Sequence, residues 1–291
     1  MMTPEIERLL EKCEINRLKP FLEKYLLPCV GFDLKRFPHQ LPIGASKLGG
    51  EPDLPGDFVW SENNGRPLDF LLQVNLSEAS KLDKSGQLPT AGLLSFFYDL
   101  EDQPEGYDPK NLDGYKVVFS PSPDKLQKWA VPDSDYKMDE FGLILRADLS
   151  VPDSGSDEYE KFAEESDMTR EEDGGFWKFA AEIERREKSY TQKYGGHHRI
   201  LGHSENIQGD MRWEAQLVMN GLYCGDSSGY NDPRREELEK NSDDWILLLQ
   251  LDSDEKAGLL WSDVGMLYYW IRKQDLAARN FDEVWMTMQC C

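Results

Sequence analysis

The stretch SKLGGEPDLPGD, residues 46–57, returns in altered form as RILGHSENIQGD, residues 199–210. An ungapped alignment places Leu48, Gly49, Gly56 and Asp57 on Leu201, Gly202, Gly209 and Asp210. Three further blocks recur in the same order: LLQ at 71–73 and 248–250, GLLSFFY at 92–98 with GMLYYWI at 265–271, and KVVFS at 116–120 with EVWMT at 283–287. An ordered set of matches indicates an internal repeat more strongly than any single block does.

The repeated blocks predict the fold class. Each copy holds a glycine-rich loop and strand-like runs, and two units that each bury one face would pack together about a pseudo-twofold axis. The sequence therefore predicts an α+β fold, with one domain over 1–291 built from an internally duplicated β-rich unit with flanking helices. Its expected parts are an N-terminal helical segment at 1–28, repeat unit one at about 41–125, a connecting strand, acidic linker and helix at 126–196, and repeat unit two at about 197–291.

Local patterns predict the individual elements. Runs rich in aliphatic and aromatic residues between turn residues favour strands, and they occupy 29–37, 68–76, 92–100, 115–120, 141–148, 198–201, 245–251, 265–271 and 284–289. Helices are expected at 176–194, 211–219 and 233–240, with a helical turn at 274–279. Two short N-terminal helices, or one kinked at Pro20, should form a lid over the sheet. Residues 44–60 are predicted to form a structured loop. Residues 151–174 are predicted to form a polar linker, with room for a short helix, that ends at a Gly174-Gly175 break.

The charge balance restricts the classes of partner. The 291 residues include 33 Lys and Arg against 55 Asp and Glu, which gives a net charge of −22. Such a surface repels phosphates and anionic lipid headgroups, so we expect neither a nucleic acid nor a membrane as partner. A basic protein or a cation would be attracted to it. Strong negative charge also serves solubility alone, without any partner.

The cysteines and the N-terminus indicate the compartment. Five cysteines without framework spacing do not predict a disulfide scaffold. The first residues carry Glu5, Glu7 and Glu11, unlike a signal peptide. No apolar run reaches the ~20 residues of a membrane span. We therefore expect a soluble cytoplasmic protein with reduced thiols.

Several blocks together resemble a known family. They are LGGEPDLPGDFVW (48–60), FLLQVNL (70–76), HRILGHSENIQGDM (198–211), WILLLQL (245–251) and DVGMLYYWI (263–271). Their combination is similar to the YwqG-like family of bacterial proteins of unknown function, and the resemblance covers about 41 to 291. It implies a bacterial α+β protein with a duplicated core. It implies no activity, so no catalytic residue is transferred.

The twin glycine-rich loops supply the candidate ligand-binding residues. If the two loops face one cleft, its lining would be Lys47, Glu51, Asp57, Trp60, His203, Asp210 and Trp213. The competing interpretation is that glycine and aspartate here only shape tight turns. Neither loop has the Gly-Lys-Ser/Thr ending of a phosphate-binding loop.

Histidine and cysteine residues offer weaker candidates. His197, His198 and His203 lie close in sequence to Asp210 and Cys224, but their spacings match none of the usual zinc signatures. We therefore predict no metal and no cofactor. Cys224 could act as a nucleophile with a distant histidine, but a buried free cysteine more often only packs.

Two functional hypotheses remain open from the sequence. The first is a non-enzymatic binding or interaction protein, for example an acidic inhibitor or immunity-type protein that neutralises a basic partner. The second is an enzyme or small-ligand sensor with a site between the two duplicated units. The absence of a recognisable nucleophile or acid–base arrangement favours the first, and the sequence does not decide whether the protein is an enzyme.

Overall fold

The computed structural model describes residues 2–132, 136–184 and 196–290, without the side chain of residue 124. The predicted helix at 176–194 therefore lies partly outside the described residues. The strands, in chain order, are β1 Leu27–Lys35, β2 Lys47–Leu48, β3 Asp53–Pro55, β4 Glu62–Asn63, β5 Arg66–Pro67, β6 Asp69–Asn75, β7 Leu93–Tyr98, β8 Tyr115–Ser120, β9 Leu126–Lys128, β10 Phe141–Ser150, β11 His198–Ile200, β12 Trp245–Asp252, β13 Met266–Arg272 and β14 Trp285–Gln289.

The helices lie between these strands and before them. They are α1 Pro4–Lys12, α2 Lys19–Tyr25, α3 Leu76–Leu82, α4 Asp157–Ser166, α5 Arg170–Ile183, α6 Arg212–Met219, α7 Ser227–Tyr230, α8 Arg235–Leu238 and α9 Lys273–Ala278. Short 3₁₀ turns occupy Asn16–Leu18, Pro109–Gly114, Pro123–Lys125, Glu239–Asp244 and Phe281–Glu283. The mixture of helix and strand confirms the predicted mixed class.

Ten of these strands form one antiparallel sheet in the described part of the chain. Its order is β14-β13-β12-β11-β1-β10-β2-β6-β7-β8. The central strands β1 and β10 pair so that Gly31 faces Arg146 and Lys35 faces Gly142. On one side of this pair follow β2, β6, β7 and β8, and on the other side β11, β12, β13 and β14.

The two ends of the sheet meet, so that the sheet is nearly closed. The Tyr115 hydroxyl on β8 donates to the Val284 carbonyl, 2.9 Å away, just before β14. The Tyr269 hydroxyl on β13 donates to the Phe97 carbonyl on β7 at 3.2 Å, and the Phe96 and Tyr269 rings lie 5.1 Å apart. These contacts bury the aromatic strands at 93–98 and 266–272 against each other and form the main core.

The N-terminal helices pack mainly on other helices. α1 and α2 share a separate apolar cluster with α4, α5 and the end of β10. The buried members of this cluster include Leu10, Leu18, Leu22, Val151, Phe162, Phe176 and Phe179. The predicted lid over the sheet is therefore wrong in its contacts, because the partner surface is a pair of helices that the sequence pattern did not place there.

The predicted break at Gly174-Gly175 is also wrong, because both glycines lie inside α5. Thr169 begins this helix with a capping box in which Glu172 reaches back to the Thr169 backbone. A Cβ at position 175 would lie 2.5 Å from the Cys13 carbonyl oxygen. Gly175 thus permits close approach of the end of α1, and its role is packing and not helix termination.

Other element boundaries differ where local capping decides them. The Asn75 side chain accepts a hydrogen bond from the Ser77 backbone N–H, so β6 ends there and α3 begins, a helix that the sequence analysis missed. The predicted loop at 44–60 contains the short strands β2 and β3. The predicted helix at 233–240 shortens to α8, which continues as a 3₁₀ turn.

In the described ranges, no helix combines the length and the apolar character that a membrane span requires.

Candidate functional site

A cleft with a cavity volume of about 800 Å³ opens beside the seam where the two ends of the sheet meet. One wall is the loop between β7 and β8, and the other is formed by α6, α7 and the loops beside them. Its lining includes Asp102, Glu105, Tyr107 and Asp108 from the first wall, and Gln208, Asp210, Trp213, Glu214, Tyr223, Cys224, Tyr230 and Gln289 from the second. We call this the acidic cleft.

The loop between β7 and β8 is fixed against the outer edge of β14, the last strand of the sheet on that side. The Met288 backbone N–H donates to the Glu105 carbonyl at 2.9 Å, and the Cys224 N–H donates to the Tyr107 carbonyl at 2.8 Å. Gly106 lies between them with φ +91°, and a Cβ there would lie 2.2 Å from the Met286 carbonyl oxygen. The loop therefore covers a free strand edge and holds its acidic side chains against the cleft.

The opposite wall is held by α6 and by β14. The Trp213 ring packs on the Tyr230 ring, with 5.1 Å between centroids, and the Arg235 guanidinium lies 5.4 Å from the Trp213 centroid. The Gln289 side chain accepts from the Gln208 N–H at 3.0 Å and donates to the Gly209 carbonyl at 3.1 Å. These contacts set the aromatic wall and the 207–209 loop in fixed positions.

The lining carries five carboxylates and no Lys, Arg or His within the described chain. Asp102 is paired with Arg66 at 2.6 Å, and Asp210 with Arg212 at 2.7 Å. The other three carboxylates, those of Glu105, Asp108 and Glu214, form no ion pair among the described residues. The cleft is therefore electronegative even after its internal salt bridges are counted.

Glu214 is the most deeply placed of these carboxylates. It is only 7% exposed, and its described hydrogen bond is from the Tyr230 hydroxyl at 3.0 Å. Burial raises the pKa of Glu214 to about 7, and the Tyr230 hydrogen bond opposes this rise. A carboxyl group that exchanges its proton near neutral pH can act as an acid, a base or a cation receptor.

Cys224 is not a reactive thiol in this setting. It is buried, and its burial raises the pKa of the thiol to about 12, with the Glu214 charge as a further cause. A thiolate is the nucleophilic form of cysteine, and this environment disfavours it. Packing accounts for Cys224 better than nucleophilic catalysis does.

The candidate residues of the first glycine-rich loop lie away from the acidic cleft. Lys47 is fully buried, and its ammonium donates to the Glu51 carbonyl at 2.5 Å and lies 3.5 Å from the Asp53 carboxylate. Glu51 and Trp60 border a different, smaller cavity of about 210 Å³, and Asp57 is exposed. None of these four candidates lines the acidic cleft.

The candidates of the second loop are divided between two cavities. Asp210 and Trp213 line the acidic cleft. His203 is buried and borders a neighbouring cavity of about 450 Å³, which Asp210 also reaches. The His203 ring nitrogen Nε2 lies 2.8 Å from the Tyr25 carbonyl, and burial lowers the pKa of His203 to about 4. His203 is thus a neutral side chain that connects the region around β10 and β11 to α2.

The three neighbouring histidines point to different partners. His197 Nδ1 lies 2.9 Å from the Glu205 carboxylate, and His198 Nε2 lies 3.6 Å from that of Asp254. His203 contacts the Tyr25 carbonyl instead. Over the described ranges, no group of three or more His, Cys, Asp or Glu side chains is arranged to hold a metal ion.

Sequence reasoning missed Tyr107, Glu214, Tyr223 and Tyr230. All four lie outside the repeated blocks, and the cleft joins segments far apart in the chain. One signal was available for Glu214: it is the single charged residue inside WEAQLVM, residues 213–219, of a helix whose neighbouring side chains are buried. An acid at a buried helix position is uncommon and indicates a structural or functional role.

Comparison with known proteins gives a family and no activity. The family model for a domain of unknown function (DUF1963) matches residues 46–290. No curated protein matches the chain significantly.

Proposed function

Since the chain belongs to the DUF1963 family, whose description states no function, we propose from the acidic cleft that the protein binds an organic cation there. The observation that carries this proposal is a cavity of about 800 Å³ whose lining has five carboxylates and, within the described chain, no basic side chain. The function is binding or sensing, and no covalent step is proposed.

The aromatic lining favours an organic cation over a bare metal ion. Tyr107, Trp213, Tyr223 and Tyr230 present ring surface beside the carboxylates. A cation over an aromatic ring gains about 0.5–2 kcal/mol. The Arg235 guanidinium already makes such a contact with Trp213, 5.4 Å from the ring centroid. A small amine or guanidine would combine this contact with an ion pair to a carboxylate.

A basic protein partner remains compatible with the same chemistry. A lysine or arginine side chain is itself an organic cation, and the net charge of −22 would attract a basic surface over long range. The cleft favours a small molecule as the first ligand to test, because its size and its place beside the seam match the sensor hypothesis.

Calorimetry and thermal shift with agmatine and putrescine test the proposal. Both cations should raise the melting temperature of the protein. Added salt should lower their binding affinity, because the attraction is electrostatic. Trp213→Leu should lower the affinity for agmatine about tenfold, because the cation–π contact is lost. Trp60→Leu is the matched control, since Trp60 borders another cavity. The proposal would be contradicted if neither cation bound, or if both tryptophan variants lost the same amount of affinity for agmatine.

We also propose that the chain contains an internal duplication. The order of the sheet supports it, because four strands follow on each side of the central pair. Two pairings support it in detail. Lys47 faces Gln73 and Arg199 faces Gln250. β6 is bulged between Phe70 and Leu72, and β12 between Leu247 and Leu249.

These pairings favour a register that differs from the ungapped alignment of the sequence. Lys47 then corresponds to Arg199, one residue earlier than the alignment placed it. Gly50, with φ +67°, corresponds to Gly202, with φ +81°. The last block shifts by two residues, because Ser120 faces Leu93 while Gln289 faces Met266.

We also propose a narrower family and a cellular location for the protein. The repeated blocks support assignment to the YwqG-like group of bacterial proteins. The free cysteines of the described residues support a cytoplasmic location. Fractionation of the native host would test the location.

A further inference from the structure

We infer that Glu214 is the group in the acidic cleft that selects cations bearing N–H donors, and that it releases a proton when such a cation binds. This inference rests on the proposed function and states how the same site is regulated and which cations it prefers.

The geometry around Glu214 leaves its carboxyl group short of hydrogen-bond donors. More than nine-tenths of the residue is buried, yet it lines the cavity. The Tyr230 hydroxyl, 3.0 Å away, is its hydrogen-bond donor within the described residues, and no Lys, Arg or His there pairs with it. A buried carboxylate with one donor is poorly compensated, so a ligand that brings further N–H groups gains a strong, charge-assisted bond.

The titratable groups that line the cleft beside Glu214 bring it no positive charge. Tyr107, Cys224 and Tyr230 are neutral weak acids whose own pKa values rise partly because of Glu214. Glu105, Asp108 and Asp210 add negative charge to the same cavity. The nearby guanidinium groups are engaged elsewhere: Arg235 bonds Glu239 and the Tyr230 carbonyl, and Arg212 bonds Asp210 and Glu158.

Proton release follows from these surroundings. With its pKa near 7, the Glu214 carboxyl group is largely protonated at pH 6 in the free protein. A bound cation stabilises the carboxylate, so the carboxyl group transfers its proton to the buffer. No covalent bond of the ligand changes. Primary ammonium and guanidinium ions carry the N–H donors that the carboxylate needs. A quaternary ammonium ion, although it suits the aromatic rings, carries none.

Calorimetry at pH 6 in phosphate and in MES, neither of which carries a net positive charge and whose ionisation enthalpies differ, measures the released proton directly. Agmatine should release close to one proton per bound cation at pH 6 and almost none at pH 8. Its affinity should rise about fivefold from pH 6 to pH 7 as the carboxyl group ionises. Tetramethylammonium should bind at least about tenfold more weakly than agmatine, since it forms no charge-assisted hydrogen bond.

Two variants separate Glu214 from the rest of the cleft. Glu214→Gln keeps the shape of the side chain and should abolish both the proton release and the preference for agmatine over tetramethylammonium. Glu105→Gln removes another cleft carboxylate and should keep both. Tyr230→Phe deletes the donor that lowers the Glu214 pKa, so it should shift the proton release to higher pH, and this shift tests the role of Glu214 even if Glu214→Gln does not fold.

The outcomes distinguish this inference from the proposed function. Binding of agmatine without proton release, or with the same release in Glu214→Gln, would overturn the inference and leave a cation site standing. Failure of every cation to bind the wild-type protein would instead overturn the proposed function.

Discussion

Glu214 and His203 are buried groups whose pKa values move in opposite directions. Burial raises the Glu214 pKa from 4.5 to about 7 and lowers the His203 pKa from 6.5 to about 4. The stability from Glu214 is fully present below pH 4.5 and is lost as the pH rises through about 7. That from His203 is present above pH 6.5 and is lost as the pH falls through about 4. Between pH 4.5 and 6.5 the two effects oppose each other.

Single variants should expose each effect. From pH 7 to pH 5, the free energy of unfolding of Glu214→Gln should fall, relative to the wild type, by ~2 kcal/mol, since one pKa unit corresponds to about 1.4 kcal/mol. That of His203→Gln, which keeps an N–H donor for the Tyr25 carbonyl, should rise over the same range. Urea denaturation at pH 5, 6 and 7 measures both slopes. Slopes equal to that of the wild type would show that the buried groups are not the cause.

At this scale the sequence predicted part of the site. Asp210 and Trp213 were candidates, and both line the acidic cleft. Lys47 was a candidate too, but it is fully buried, because the Glu51 carbonyl and the Asp53 carboxylate satisfy its ammonium group inside the protein. A sequence pattern does not reveal which buried acceptors a lysine will reach, and it does not bring Tyr107 next to Glu214.

Among the elements, the strands were predicted best and the connections least well. The strand at Tyr115–Ser120 lies at the predicted residues, since alternating aliphatic and aromatic residues between turns specify it locally. The Gly174-Gly175 pair was predicted as a break because glycine disfavours helix interiors. The close contact with Cys13 that Gly175 permits is a tertiary effect, and such effects override local preference.

The loop between β7 and β8 should be sensitive at Gly106. An alanine there would meet the Met286 carbonyl oxygen at 2.2 Å and would also hold φ +91°. Gly106→Ala should lower the free energy of unfolding by more than 2 kcal/mol, whereas the positive φ alone costs about 1–2 kcal/mol. The substitution should also lower the affinity for agmatine, because the same loop forms one wall of the acidic cleft.

Gly86→Ala is the control for backbone strain. Gly86 has φ +69°, and nothing lies within 4 Å of its added Cβ. Chemical denaturation of both variants compares strain with and without the steric clash. Equal losses in the two variants would mean that the loop adjusts easily and that the β14 edge does not hold it.

For the whole molecule, the N-terminal region should be required even though it lies outside the family match. The match begins at residue 46, but β1 at Leu27–Lys35 occupies the middle of the sheet between β10 and β11. A fragment of residues 46–291 would leave the long edge of β10 and the short edge of β11 unpaired and should aggregate or remain unfolded. A fragment of residues 16–291, which loses α1 and keeps β1, should fold with a lower melting temperature.

Circular dichroism and soluble yield of the two fragments check this expectation. A cooperative transition in the 46–291 fragment, close to that of the full chain, would show that β1 is dispensable. The sequence analysis expected a strand at 29–37 but had no means of placing it at the centre, because strand order depends on pairing between distant segments.

The pairing of β1 also determines the order of events during synthesis. Residue 31 leaves the ribosome long before its partners, residues 146 and 199. The middle of the sheet therefore cannot assemble until residue 199 has been made. Such distant pairing slows folding and prolongs the exposure of apolar strands. Nascent chains of this protein should accordingly depend on chaperones until β11 emerges.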